Sequence, residues 1–221
     1  SGANVPEYVH YENIVANFMA SKQWLRRMQV PYLSQMNQLV SGSKVKDFIT
    51  SNEILYTEDL IKASDKIISM RDVRIVLIAG PSSSGKTTTM KRLSAILRSR
   101  GYEPIGLSTD DFFVDRDETP KNDLGEKDYE CLQAIDLDLF NKTLQDLLNG
   151  KEVELPEYDF VNGVKVFEGK KVKLKDNSLL LIEGLHCLND DLIPYIDQKY
   201  KFKIYLSPFI PLNIDRHNYI S

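Results

Sequence analysis

Gly80-Pro-Ser-Ser-Ser-Gly-Lys-Thr87 is the stretch of sequence that decides the fold of this chain. It follows the apolar run Arg74-Ile-Val-Leu-Ile-Ala79, which reads as a buried strand. It precedes Met90-Lys-Arg-Leu-Ser-Ala-Ile-Leu97, whose apolar residues have helical spacing. The stretch fits the pattern G-x-x-x-x-G-K-[S/T], and strand–loop–helix is the context in which that pattern has a defined meaning. The sequence therefore predicts a phosphate-binding loop.

The chemistry of this loop points to a nucleoside triphosphate. The two glycines allow a tight turn whose amide N–H groups point inward, and the positive end of the following helix faces the same phosphates. We expect Lys86 to be a catalytic residue that reaches the β- and γ-phosphates, and the hydroxyl of Thr87 to bind Mg²⁺. The predicted nucleotide-binding residues are Gly80, Pro81, Ser82, Ser83, Ser84, Gly85, Lys86, Thr87 and Thr88.

Acidic residues follow two further apolar runs. The run Ile105–Thr109 ends on Asp110 and Asp111, and the run Leu179–Glu183 ends on its own acid. Ligands of open parallel sheets bind beyond the carboxyl ends of the strands. We expect Asp110 to accept the proton of an attacking hydroxyl or to order Mg²⁺ through water, with Asp111 as the competing candidate. One of the two is expected to cap the following turn, and Glu183 is expected to hold a Mg²⁺-bound water.

The remaining pattern predicts an α/β domain over residues 71–221. Its strands are predicted as a buried parallel sheet, its helices as the layers around that sheet, and residues 152–174 as an antiparallel flap around Asn162-Gly163. The predicted strands are Val73–Ala79, Ile105–Thr109, Leu179–Glu183 and Phe202–Leu206. The predicted helices are Thr87–Arg100, Leu137–Leu148 and one near Asp191–Tyr195.

Residues 1–70 are predicted to form a small helical segment that precedes this domain. Apolar residues recur at helical spacing, and Pro31 interrupts the pattern. The predicted helices are Tyr11–Leu25, Leu33–Leu39, Val45–Ile49 and Thr57–Met70, the last with Thr57 or Ser64 as a local cap. The segment shows no catalytic pattern.

Bulk composition narrows the function classes. The net charge of −4 argues against nucleic acid as a partner of this chain, and no apolar run has the length of a membrane-spanning helix. The two cysteines, Cys131 and Cys187, suit a reducing and therefore cytoplasmic location. His10, His186 and His217 lack metal-ligand spacing and are expected to be surface or core residues.

Four motifs in one order resemble those of the uridine kinase and phosphoribulokinase family. They are Gly80 to Thr88, Ser108-Thr-Asp-Asp-Phe-Phe113, Leu155-Pro-Glu-Tyr-Asp-Phe160 and Ile182-Glu-Gly184. The resemblance covers about Val73 to Leu206. It implies a P-loop kinase fold that transfers the γ-phosphoryl group of ATP to a hydroxyl of a small molecule. In uridine kinases that hydroxyl is the ribose 5′-hydroxyl of a nucleoside.

The resemblance also implies roles for particular residues. Asp110 matches the catalytic acid that serves as general base, and Glu183 matches the acid beside Mg²⁺. Glu130 falls where uridine kinases place an aspartate that holds the ribose hydroxyls. Tyr158 and Phe160 match the segment that lines the nucleoside base pocket.

Three departures from the uridine kinase pattern leave the identity of the acceptor open. Gly163 stands where uridine kinases have a histidine that helps to recognise the pyrimidine, and Phe113 replaces a tyrosine. The arginine-rich lid and the last strand of the family are expected after Phe202–Leu206, yet no such pattern precedes Ser221. Alternative acceptors are a sugar phosphate or pantothenate, and a non-catalytic ATP-binding regulatory module is the alternative from another class.

A less specific likeness concerns the helical segment. Val30-Pro-Tyr-Leu-Ser-Gln-Met-Asn-Gln-Leu-Val40 and Asp59-Leu-Ile-Lys-Ala-Ser-Asp-Lys-Ile-Ile68 resemble a helical connector found in one subgroup of the family. In that subgroup a region similar to part of threonyl-tRNA synthetase lies upstream. The resemblance implies that the chain is a fragment of a longer protein. A homo-oligomer is compatible with the sequence.

Overall fold

The computed structural model describes residues 12–207 and 212–215. Within them one compact unit comprises residues 57–207, and the other comprises residues 12–56 with 212–215. The helices are α1 Glu12–Arg27, α2 Leu33–Ser41, α3 Val45–Ser69, α4 Lys86–Ser99 and α5 Leu137–Leu148. The strands are β1 Ile75–Ala79, β2 Glu103–Ser108, β3 Val153–Glu154, β4 Glu157–Asp159, β5 Val164–Val166, β6 Lys171–Val172, β7 Ser178–Glu183 and β8 Lys201–Tyr205.

The larger unit is built on a parallel sheet with strand order β2-β7-β1-β8. Both central strands, β1 and β7, are buried at every position, as strands covered on both faces must be. The parallel register pairs Ile78 with Glu183, and Glu183 in turn with Ser108. The carboxyl ends of three strands therefore meet at one edge, which is also where the predicted phosphate loop and acids follow.

Helices cover both faces of the sheet. On one face, α5 packs Phe140, Leu144 and Leu147 against alternate residues of the strands, including Leu77 and Ile182. On the other face, α3 and α4 supply the buried residues. These are Ile67, Leu93 and Leu97, which pack with Val73, Val76, Ile78, Leu179 and Leu181. The predicted α/β fold, a parallel sheet flanked by helices after a small helical segment, is confirmed.

Replacing Leu144 by alanine tests this packing. The side chain is fully buried in the α5 layer, so the truncation leaves a cavity and should cost about 2–5 kcal/mol of unfolding free energy. Urea unfolding measures the loss. The matched control is Leu124→Ala, because Leu124 is 83% exposed and its truncation should change stability by less than about 0.5 kcal/mol. Equal losses in the two variants would contradict the packing of α5 on the sheet.

The flap predicted over residues 152–174 is confirmed as two antiparallel pairs. Strand β3 pairs with β6, and β4 pairs with β5. The turn between β4 and β5 contains Gly163, whose φ of +73° favours glycine.

Two helix predictions are corrected. The segments Val45–Ile49 and Thr57–Met70 belong to one helix, α3. Residues 50–56 contain neither Gly nor Pro, and Asn52 Nδ2 donates to Phe48 O of the preceding turn at 2.8 Å. Because the helix continues, Thr57 and Ser64 are interior positions rather than caps.

The other correction concerns the helix expected near Asp191–Tyr195. The structure has only a 3-10 turn, Asp190–Leu192. Asn189 caps that turn by accepting a hydrogen bond from Asp191 N at 3.0 Å. Pro194 then disfavours helical backbone at the residue before it, so the turn cannot extend.

The smaller unit is helical. Trp24 Nε1 donates to Asn52 Oδ1 at 3.0 Å, which joins α1 to α3. Leu25, Val30 and Leu212 form its buried cluster. Tyr11 of the predicted first helix lies outside the described residues, as do His10 and His217. In the part of the chain that the structure describes, no helix combines the length and apolar character that crossing a membrane requires.

Candidate active site

The two glycines of the phosphate loop are needed for different reasons. Gly85 immediately precedes α4 with φ +89° and ψ 21°, a left-handed conformation that favours glycine. Gly80 has ordinary φ but no room for a side chain, since a Cβ there would lie 2.5 Å from Ser84 Oγ and 3.0 Å from Leu206 O. The loop thus turns sharply into the helix, and the first amides of α4 are left free for an anion.

Lys86 lies over this loop. Its Nζ donates to Pro81 O at 3.1 Å, which holds the ammonium group on the side where the loop amides converge. A cation, a helix N-terminus and a turn of amides in one place suit the phosphates of a nucleotide. The residues predicted for this role, Gly80 to Thr88, are contiguous along the loop and the first turn of α4.

Thr87 and Glu183 meet at the edge of the sheet. Thr87 Oγ1 donates to Glu183 Oε1 at 2.8 Å, and Glu183 is only 7% exposed. Both are hard oxygen donors, the type that Mg²⁺ prefers. Within residues 12–207 and 212–215, no cluster of three or more His, Cys, Asp or Glu side chains could hold a metal ion. A hydroxyl and one carboxylate fit Mg²⁺, an ion that usually keeps several waters and is bound through few protein oxygens together with substrate phosphates.

Asp110 lies in a 3-10 turn, Thr109–Phe112, directly after β2. Asp110 is exposed at the surface, yet partial desolvation of its carboxyl raises its pKa. The nearby Lys86 ammonium and the Thr109 hydroxyl, 3.5 Å away, partly offset that rise. The acid predicted as general base and the lysine predicted to hold the phosphates are thus within electrostatic reach of each other. A carboxylate with a raised pKa is the better proton acceptor.

The expectation that an aspartate caps this turn is wrong. Ser108 is the cap, because its Oγ accepts a hydrogen bond from Asp110 N at 3.4 Å. Burial is also the main cause of a raised pKa at Asp111, and the backbone N–H of Tyr158 donates to that carboxylate. The two adjacent acids are therefore distinct, since Asp110 faces Lys86 and Asp111 is tied to the flap.

Gly184 explains how Asp110 is kept in place. A Cβ at Gly184 would overlap the buried side chain of Thr109. The ends of β7 and β2 can approach this closely only because residue 184 lacks a side chain. The glycine after Glu183 is thus needed to bring the Glu183 strand end against the turn that carries Asp110.

A cavity of about 170 Å³ opens beside the phosphate loop. Ser82 and Lys86 of the loop line it together with Asp110. Phe113 and Glu130 also line it. The structure thus brings the predicted catalytic residues together with Glu130 around one space.

Four aromatic rings in contact with one another form an aromatic wall, which consists of Phe113, Tyr129, Tyr158 and Phe160. The ring of Phe113 meets Tyr129 and Tyr158 edge to face, with centroids 6.0 and 5.7 Å away, and Tyr158 meets Phe160 at 5.1 Å. Tyr158 is 5% exposed, and its hydroxyl has no hydrogen-bond partner among the described residues. Phe160 lies farther out and is 61% exposed. Of the three residues predicted to bind the acceptor, only Glu130 lines the cavity itself.

His186 is a cavity residue that the sequence analysis did not select. It lines the cavity, and its Nε2 donates to Glu130 O at 2.8 Å. The signal was its position three residues after Glu183, at the edge of the sheet where ligands bind. Its lack of metal-ligand spacing excluded a metal role but said nothing about holding the backbone of Glu130.

Comparisons with known proteins identify the family of the chain. The sequence model of the phosphoribulokinase / uridine kinase family matches residues 75–217. Uridine-cytidine kinase C of Dictyostelium discoideum is 29% identical over 58% of this chain and 26% of its own length. Uridine kinase of Ligilactobacillus salivarius is 32% identical over 52% of this chain and 53% of its own length. The chain therefore spans about a quarter and about half of these relatives.

A structure described as a possible uridine kinase from Bacillus stearothermophilus is 26% identical, with a TM-score of 0.49 over 60% of this chain and 70% of that one. The match to the family model is the decisive comparison, because it covers more than half of the sequence. The chain belongs to the phosphoribulokinase and uridine kinase family.

Proposed function

We propose that this chain is the kinase part of an enzyme that transfers the γ-phosphoryl group of ATP to a hydroxyl of a small molecule, with a nucleoside as the favoured acceptor. The observation that carries the proposal is the meeting of Lys86, Asp110 and the Thr87–Glu183 pair at one edge of the sheet, beside a cavity. The names of the relatives add uridine and cytidine as the acceptors of those proteins.

The proposed reaction uses each of these groups. The phosphate loop and Lys86 hold the triphosphate, so that negative charge on the transferring group is neutralised. Asp110 takes the proton of the acceptor hydroxyl while the new O–P bond forms and the bond from the γ-phosphorus to the bridging oxygen of ADP breaks. Mg²⁺, held by Thr87 and the Glu183 side of the site, would supply further charge neutralisation when bound.

Gly163 is the reason for considering a second class of acceptor. A Cβ at this position would lie 2.5 Å from Arg116 Nε, so a histidine could not be placed there without moving Arg116. A pyrimidine contact from residue 163 is therefore lacking. A sugar phosphate or pantothenate stays as the alternative acceptor.

The test of the proposed function is an acceptor panel. ADP release with MgATP is measured for this chain, and for the longer protein proposed to contain it, with uridine, cytidine, ribulose 5-phosphate and pantothenate. Stimulation by uridine or cytidine supports the nucleoside kinase, and stimulation by another acceptor moves the proposal to that acceptor. Binding of ATP without stimulation by any of them would overturn the enzyme proposal in favour of a regulatory module.

The wider organisation is part of the same proposal. We propose that residues 71–221 form the kinase domain and residues 1–70 a helical connector, with a region similar to threonyl-tRNA synthetase upstream. The helices α1 and α2 and residues 45–56 of α3 support the connector, whereas the end of α3 belongs to the larger unit. A cytoplasmic location is proposed because Cys131 and Cys187 are free thiols.

Replacing Thr87 by valine tests the metal role. The change keeps the shape of the side chain but removes the hydroxyl that donates to Glu183. The Mg²⁺ concentration needed for half-maximal activity should rise by at least about tenfold, as measured by titrating Mg²⁺ at fixed ATP. Thr87→Ser keeps the hydroxyl and should stay close to wild type. An unchanged Mg²⁺ dependence in Thr87→Val would remove Thr87 from the metal site.

A further inference from the structure

The turn between β4 and β5 is clasped by an arginine from another part of the chain. Arg116 Nη2 donates to Phe160 O at 2.6 Å, and Nη1 donates to Val161 O at 3.3 Å. The backbone N–H of Arg116 also donates to Gly163 O at 2.7 Å. Arg116 thus bonds to the carbonyl groups of three residues in one turn.

Gly163 completes this clasp by its lack of a side chain. Its φ is +73°, and a Cβ would lie 2.5 Å from Arg116 Nε and 2.7 Å from Arg116 Cβ. The arginine therefore occupies the space that any side chain at residue 163 would need. Both the backbone angle and the available space require glycine at this position, so the arginine contacts and Gly163 depend on each other.

A second attachment lies next to the first. Lys165 Nζ donates to Phe113 O at 3.1 Å and lies 3.1 Å from Asp136 Oδ2, with its side chain only 14% exposed. The backbone N–H of Lys165 donates to Asp115 Oδ1 at 3.2 Å. The turn and the start of β5 are thus both bonded to the segment 113–116.

This segment follows the proposed general base directly. Asp110 lies three residues before Phe113, and the ring of Phe113 meets Tyr158 edge to face. The carboxylate of Asp111 accepts from the backbone N–H of Tyr158. The aromatic wall and the base are therefore tied to the same short stretch of backbone, which fixes the distance between them.

We propose that Arg116 is a positioning residue for the acceptor, acting through the turn 159–163 that carries Phe160 and adjoins Tyr158. The proposal rests on the proposed function, because it assigns the aromatic wall to the acceptor. The clasp holds the wall at a set distance from Asp110, so the acceptor hydroxyl reaches the base in a reactive orientation. The nucleotide site, which lies on the phosphate loop, does not depend on it.

The test combines acceptor kinetics with hydrogen exchange. In Arg116→Ala the KM of the acceptor found by the panel should rise at least about tenfold while the KM of ATP changes less than about twofold. Exchange of the amides of residues 157–166 should become about tenfold faster. Arg98→Ala is the matched control, because Arg98 is an exposed arginine at the last turn of α4; it should change neither quantity.

Two further variants separate a clasp from a simple positive charge. Arg116→Lys keeps the charge but loses the planar fork, so it should behave like Arg116→Ala. Gly163→Asn keeps the arginine and tolerates positive φ, but its side chain collides with the guanidinium and should produce the same change. The double variant Arg116→Ala/Gly163→Asn should then be no worse than Arg116→Ala alone, because both changes break the same clasp.

The outcomes are distinct from those of the proposed function. Faster exchange together with a raised acceptor KM supports the proposal, whereas faster exchange with an unchanged acceptor KM overturns it. Unchanged exchange in Arg116→Ala, or full rescue by Arg116→Lys, also overturns it. If wild type shows no turnover with any acceptor, the proposed function fails, and hydrogen exchange alone decides whether the clasp fixes the turn.

Discussion

Replacing Lys86 by methionine should lower kcat/KM by about 10³-fold, because it removes the one side-chain cation in the phosphate loop, Gly80 to Thr87. The ammonium group is held over the loop by Pro81 O, so it is placed before the nucleotide arrives. Methionine keeps most of the length and the apolar stem of the side chain. The loss should therefore report the charge rather than the packing.

The measurement is steady-state ADP release with the acceptor that the panel identifies. Lys91→Met on the same helix is the matched control, because Lys91 is exposed on α4 beyond the loop. Both variants should unfold at the temperature of wild type. Activity near the wild-type level in Lys86→Met would remove the phosphate loop from the chemistry and contradict the proposed function.

Much of the fold follows from short-range patterns. The strands β1 and β7 are apolar throughout, and such runs predict buried parallel strands with little ambiguity. Helix α5 matches its predicted bounds, Leu137–Leu148, because Asp136 caps its start by accepting from Leu139 N at 3.0 Å. The prediction divides helix α3 in two, although residues 50–56 contain neither Gly nor Pro and nothing there prevents helical backbone.

The site was predictable where one strand end carries the chemistry. Asp110 and Glu183 each follow an apolar strand, and parallel pairing brings such ends to one edge. The position of His186 after β7 was predictable in this way, but its contact was not, and neither were the contacts of Arg116. Their contacts, to Glu130 O and to the turn 159–163, join segments that are 44 to 56 residues apart in the chain. No local pattern encodes such a contact, since it depends on how the flap and the loop after β7 settle on the sheet.

Replacing Asp110 by asparagine should lower kcat by about 10³-fold, because asparagine cannot accept the proton of the acceptor hydroxyl. The KM of ATP should change far less, since the phosphates are held by the loop. Asp111→Asn is the discriminating variant, because the carboxylate of Asp111 is engaged with the backbone N–H of Tyr158. If Asp111→Asn loses kcat while Asp110→Asn keeps it, the role of the base belongs to Asp111.

The pH dependence of kcat/KM is an independent test of Asp110 as the general base. Partial desolvation raises the pKa of Asp110 above its ordinary value, and only the ionised carboxylate can act as base. Activity should therefore fall as pH falls through that raised pKa, at a higher pH than an exposed aspartate would give. The Lys86 ammonium lowers this pKa, so the residual activity of Lys86→Met should be lost at a still higher pH. If the pH at which activity is lost is the same in wild type and in Lys86→Met, the Lys86 ammonium does not act on the carboxyl that serves as base.

Stability provides a readout of the same group without turnover. A carboxyl whose pKa is raised on folding binds its proton more tightly in the folded state, so its ionisation destabilises the fold as pH rises through that pKa. Asparagine at position 110 escapes this cost. Asp110→Asn should therefore unfold at a higher temperature than wild type at neutral pH, and the difference should vanish below the ordinary pKa of aspartate. A variant that is inactive yet more stable at neutral pH is what a general base with a raised pKa predicts, whereas a purely structural aspartate would lose stability when replaced.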